Sequence, residues 1–143
     1  MPNARLLARG LITPFKKCKF QASLCHLGTA GCGESLPDRV AAALEDIRSL
    51  KRVAKASHPH IYAWQFGTDT GSHDGGERGA GARLLRALQV GTPPSALAGG
   101  GVLVAVTRWY GGSHLGGARF RVIEKTALEL LREHYGEGKG APR

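Results

Sequence analysis

The chain has 143 residues, is 42% hydrophobic and carries a formal net charge of +9. That size and composition suit one folded domain with its own core and exclude a disordered chain, and no apolar run is long enough to cross a bilayer. The basic surplus, weighted towards residues 1–56, favours anionic partners such as RNA, the ribosome or acidic protein faces, against the plainer reading that it only keeps the protein soluble.

The first 33 residues contain no acidic side chain, and Arg5, Arg9, Lys16, Lys17 and Lys19 lie among them. That composition is also found in mitochondrial transit peptides, but "RLLARGLIT" (5–13) reads better as a strand. A cytoplasmic location is therefore expected, with a mitochondrial one as the alternative. "KFQASLCHL" (19–27) is a second strand. The cysteines are Cys18, Cys25 and Cys32. An odd number without a close pair makes no disulfide framework, fits a reducing compartment and matches no zinc-ligand spacing. They read as ordinary small side chains.

"GTAGCGES" (28–35) is a glycine-rich loop. It leads into a helix start in which Ser35 caps, Pro37 suits the first turn and Asp38 complements the positive helix end. Val40, Ala43, Leu44 and Ile47 give that helix an apolar face, and it runs to about Leu50. Charge and Pro59 then break it, and "IYAWQFG" (61–67) is a strand. The polar stretch 68–81 reads as a loop. A short helix follows at 82–90, with Leu84, Leu85 and Leu88 inward. Turn chemistry fills 91–101. "VLVAVT" (102–107) lacks polar alternation and predicts a strand buried on both faces. The last helix, 119–135, carries Phe120, Ile123, Ala127, Leu130 and Leu131 on one stripe. These elements give an α+β two-layer domain with no internal repeat.

Two glycine-rich loops hold the charged residues. The first, "HDGGERGAGAR", opens the short helix, whose free N–H groups suit an anion. It is neither a P-loop nor a dinucleotide fingerprint. Its Asp74 and Glu77 could bind a cation or act as acid and base, but they read more naturally as residues that cap the helix and pin the loop. The second loop places Arg119 and Arg121 near a helix N-terminus, where positive charge is disfavoured by roughly 0.3–1 kcal/mol. Asp74 and Glu77 are the internal partners that would answer it, bringing the loops together. Arg108, Trp109 and Tyr110 leave the buried strand directly. Arginine beside aromatics suits stacking on bases or a protein–protein hot spot, unless one of the rings simply closes the core. His58 and His60 could offer two metal nitrogens, with Cys25, His26 or Asp74 as third-ligand candidates. A polar surface is the preferred reading, and no metal or cofactor is expected. No established catalytic motif is present. A small hydrolase or metal-dependent enzyme using Asp74, Glu77 and His114 stays as a further alternative.

"HDGGERGAGARLLRAL" followed by "VLVAVTRWYGGSHLGGARFRVIEKTALELL" resembles the Impact family, whose bacterial members are the YigZ-like proteins. The "ARFR" ending is closer to the eukaryotic branch, and "KKCKF" (16–20) and "SHPHIYAW" (57–64) resemble earlier family segments. The family's D-D-G-E-like run reads "HDGGE" here, and its histidine before the aromatic strand falls at Pro59. The resemblance implies a two-layer α+β fold like the second domain of small-subunit ribosomal protein five, over residues 10–135, with an N-terminal segment 1–9 and a mobile tail 136–143. Motif positions carry over to Asp74, Gly75, Glu77, Gly79 or Ala80, Gly81, Arg83, Thr107, Arg108, Trp109, Tyr110, Gly111, Gly112, Leu115, Gly116, Arg119 and Phe120. With His114 and Arg121, these loops form the expected partner- or anion-binding set. The resemblance implies a non-enzymatic binding module of translational regulation, partnered by the ribosome-associated activator of the general-control kinase or by actin. RNA or ribosome binding is the alternative. The RWD domain of eukaryotic members and the ferredoxin-like domain of bacterial ones have no counterpart in the 143 residues.

Overall fold

The uninterrupted apolar run before Thr107 becomes the middle of a sheet. A computed structural model describes residues 5–29, 33–111 and 116–136, with backbone alone at 58–60. In chain order the elements are β1 (Leu6–Arg9), β2 (Thr13–Phe15), β3 (Cys18–Thr29), α1 (Leu36–Arg48), β4 (His58–Phe66), β5 (Asp69–His73), α2 (Ala80–Gly91), β6 (Gly100–Trp109) and α3 (Ala118–Tyr135). Short 3-10 turns at Val53–Lys55 and Pro94–Leu97 interrupt the connections. The strands lie in the order β1-β3-β6-β4-β5, with β2 also beside β3. Every pairing among the described residues is antiparallel.

It follows that β3 and β4 run parallel with β6 between them, and β5 and β6 run parallel with β4 between them. Parallel strands need a crossover, and the helices supply it: α1 for the first pair, α2 for the second. Strand alternation then divides the core. Phe20, Leu24, Ile61, Val104 and Val106 face α2 and α3, while Cys25, Leu27, Leu103 and Ala105 face α1. The α+β class expected from the sequence is what the structure shows. The sheet and the α2–α3 pair form the expected two layers, and α1 lies against the other face, a placement that periodicity along the chain does not reveal.

The start of α1 follows its sequence signal, since Ser35 Oγ accepts the Asp38 N–H at 3.2 Å. Residues 5–13 form β1 and the start of β2 rather than one strand. β1 belongs to the sheet although residues 1–9 were expected ahead of the domain, because Leu6 packs on the α1 side and Ala8 on the other. The tail expected at 136–143 lies, beyond Gly136, outside the described residues. The loop expected at 68–81 is corrected by β5, which pairs with β4 over residues 69–73. As an edge strand it buries little, so it has no apolar alternation to announce it. Its Gly71 leaves room for the Trp64 indole, which a Cβ there would approach to 2.5 Å.

β2 and β3 are joined by a two-residue turn, Lys16–Lys17, closed by the Phe15–Cys18 pair. Both lysines have positive φ, 49° and 73°. This backbone suits Asn or Gly and disfavours a longer side chain by about 1–2 kcal/mol. Among the described residues no helix is long and apolar enough to cross a membrane.

Leu84 is fully buried in the core shared by α2, α3 and the sheet. Leu84→Ala should lower the unfolding free energy by about 2–5 kcal/mol, measured by urea denaturation with an unchanged m-value.

Candidate functional site

Alternation along β6 sends residues 102, 104 and 106 towards α2 and α3, and position 108 continues the series. A guanidinium therefore enters the end of that core. Arg108 is 5% exposed and lies over the Phe20 ring, 5.7 Å from its centroid. A buried charge needs partners. Glu77, itself 4% exposed, supplies them. Arg108 Nη1 donates to Glu77 Oε2, and Arg119 Nε donates to the other carboxylate oxygen at 2.7 Å. Arg108 Nη2 also donates to Cys18 Sγ at 3.5 Å. Burial works against the Arg108 charge, but Cys18 and Glu77 outweigh it and raise its pKa.

Three segments distant in sequence thus meet on one carboxylate: the loop before α2, the end of β6 and the first turn of α3. Arg119 stacks on Phe120, 4.3 Å from the ring centroid, and its Nη1 donates to the Gly116 carbonyl. The pairing with Glu77 answers the unfavourable position of Arg119 near a helix N-terminus.

Asp74 does something different. Its Oδ1 accepts the Gly81 N–H at 2.8 Å, capping α2 from across the loop. Hydrogen bonds from the backbone of Gly79 and Gly81 hold its carboxyl below the usual range. A Cβ on Gly81 would stand 2.9 Å from that oxygen and from the His73 carbonyl carbon, so glycine is required there. Gly75 and Gly79 shape the loop with positive φ, and the Glu77 N–H returns to the Asp74 carbonyl at 2.9 Å. The expectation that Asp74 also faces the guanidiniums is therefore corrected, because backbone N–H groups take its carboxylate.

Arg121 is corrected too. Two residues beyond Arg119 on a helix, it lies on another side, exposed beside Phe15, Val122 and Lys125. Arg83 joins α2 to α3 through Glu124 at 2.9 Å. Thr107 is buried. Trp109 faces the α1 side, where its Nε1 donates to the Arg52 carbonyl at 3.1 Å. Tyr110 is 46% exposed, and its N–H donates to Ser57 Oγ at 3.0 Å. Gly112, His114 and Leu115 lie outside the described residues, as does Cys32.

The sequence reading missed Cys18 as a partner of Arg108. It also missed Lys17, Lys19 and Arg52, which gather with Ile12, Trp109 and Tyr110 around a depression of about 240 Å³. The signal was the basic run "KKCKF". Among the described residues, no group of three or more His, Cys, Asp or Glu side chains is placed to hold a metal.

The family model described as the Impact N-terminal domain matches residues 16–131. The chain belongs to the Impact family. Among its relatives, IMPACT family member YDL177C of Saccharomyces cerevisiae is 31% identical, covering 82% of this chain and 85% of the yeast protein. Protein IMPACT of Oryctolagus cuniculus is 34% identical over 82% of this chain and 35% of its own length. The human Protein IMPACT is 33% identical over 82% of this chain and 34% of its own. The chain thus spans most of the yeast relative and about a third of the mammalian ones. A crystal structure of a hypothetical protein, 23% identical, aligns over 93% of this chain and 60% of its own with a TM-score of 0.53. That likeness concerns the fold. The matched Impact segment contains the whole Glu77–Arg108–Arg119 cluster.

Glu77→Gln leaves Arg108 buried with a neutral partner, and should lower the unfolding free energy by about 3–5 kcal/mol in urea titrations. Asp74→Asn tests the cap through pH. A depressed carboxyl contributes stability that is complete above its unfolded value near 3.9 and is lost as pH falls through the folded one. The wild type should therefore have the higher Tm at pH 7, with the gap closing as pH falls below about 4. A gap constant with pH would contradict the cap.

Proposed function

We propose that this Impact-family chain is a non-catalytic binding module of translational regulation, acting in the cytoplasm on a ribosome-associated activator of the general-control kinase. Family membership supports the setting. The observation that carries the non-catalytic reading is the engagement of both loop carboxylates. Asp74 accepts the α2 N–H groups and Glu77 lies between two guanidiniums. A general base must reach a substrate proton and be basic enough to take it; Glu77 is buried between its guanidiniums, and the backbone N–H groups that hold Asp74 lower its basicity.

The same engagement makes a rigid mount. The end of β6 and the start of α3 are fixed through Glu77, so Tyr110 and Arg121 are displayed from well-anchored backbone. Tyrosine and arginine on a rigid base suit a hot spot, because little backbone freedom remains to be lost on binding.

The test is capture on the purified, nuclease-treated activator. Wild type should be retained, and Tyr110→Ala and Arg121→Glu should each weaken retention at least fivefold without changing Tm. Failure of the wild type to bind, or full retention of both variants, would overturn the proposal.

A further inference from the structure

Among the described residues, three non-glycine residues have positive φ: Lys16 at 49°, Lys17 at 73° and Arg52 at 76°. All three are basic. Left-handed backbone favours glycine or asparagine, and strain of this kind persists where the surrounding structure imposes it, with a concentration at functional sites. Lys17 and Arg52 come from different connections, the β2–β3 turn and the segment after α1. They nonetheless line the same depression, with Lys19, Trp109 and Tyr110.

The depression is held in shape by specific contacts. Trp109 Nε1 donates to the Arg52 carbonyl at 3.1 Å, tying the left-handed residue to the end of β6. The Tyr110 N–H donates to Ser57 Oγ at 3.0 Å, and the Arg108 guanidinium lies 5.7 Å from the centroid of the Tyr110 ring. Gly111 lies so close to the turn that a Cβ on it would fall 1.7 Å from the Lys17 carbonyl oxygen. Lys19 is the cross-strand neighbour of Trp109. The lining has three cations, two aromatic rings and no acid.

We propose that this depression binds single-stranded RNA, with one unpaired base against Tyr110 and the flanking phosphates held by Lys17, Lys19 and Arg52. The cations alone would also attract an acidic peptide. The aromatic pair decides between them: a base offers a face for the 46%-exposed Tyr110 ring, whereas a carboxylate chain gains nothing from it. A duplex hides its base faces and would gain only the phosphate contacts. The three cations of the site are separate from the Glu77 cluster; Tyr110 is shared with the surface proposed for the protein partner, so the lysine variants tell the two apart.

The experiment is fluorescence anisotropy of a labelled oligouridine with the full chain across a salt series. Three phosphate contacts predict a slope of log K on log salt of about −2, from roughly −0.7 per contact on single strands. Lys17→Gly should weaken binding at least fivefold and reduce the slope by about 0.7, with Tm at or above that of the wild type. Lys19→Gln, at an exposed position of ordinary backbone, should reduce the slope similarly and serves if the turn variant damages the fold. Tyr110→Ala should weaken binding with the slope unchanged. The proposal is overturned if oligouridine does not bind at low salt, if both lysine variants bind like the wild type, or if polyglutamate or duplex RNA competes as well as unlabelled oligouridine. Failure of the wild type to bind oligouridine, with its capture on the kinase activator retained, would sink this proposal alone.

Discussion

One carboxylate organises the β6 end of this domain. Glu77 is buried between Arg108 and Arg119, and each guanidinium takes a different oxygen. The arrangement is forced by strand geometry. β6 is the central strand, its alternation turns Arg108 into the core, and a charge there is tolerable only with a full-strength partner. That partner comes from a loop, while β3 offers Phe20 and Cys18 at that level. The glycines around Glu77 let the chain turn inward tightly enough to deliver it.

The consequence is a division of labour at the end of β6. Between the sheet and the α2–α3 pair, the charged residues of both loops serve mainly to join elements, with Asp74 capping one helix and Glu77 gripping another. Around Trp109 and Tyr110 gather Lys19 and two cations on left-handed backbone, Lys17 and Arg52. Charge is paired in the first cluster and concentrated in the second. The carboxylates whose spacing looks most like chemistry cap a helix and pair with guanidiniums, and the cation-lined depression is built from residues that look like ordinary solubilising charge.

That inversion explains what could be read from the sequence. The helices were legible because apolar groups at 3.6-residue spacing line up on one side only of a helix, and β6 because a strand covered on both faces needs no polar residues. The Glu77–Arg119 pairing was legible because a cation near a helix N-terminus calls for an anion. Arg121 was misplaced because its helical angle separates it from Arg119. β5 was invisible since an edge strand can be polar throughout. The side of the sheet that α1 covers depends on crossover geometry, which local pattern does not encode. Lys17 and Arg52 escaped notice because backbone handedness, which singles them out, leaves no mark on composition.

The central claim is that Glu77 joins three segments into one cooperative unit. Hydrogen–deuterium exchange on Arg119→Ala tests it most directly. The account predicts that protection falls together in residues 74–81, at the end of β6 and in the first turn of α3, although only α3 carries the change. A loss confined to the first turn of α3 would contradict it.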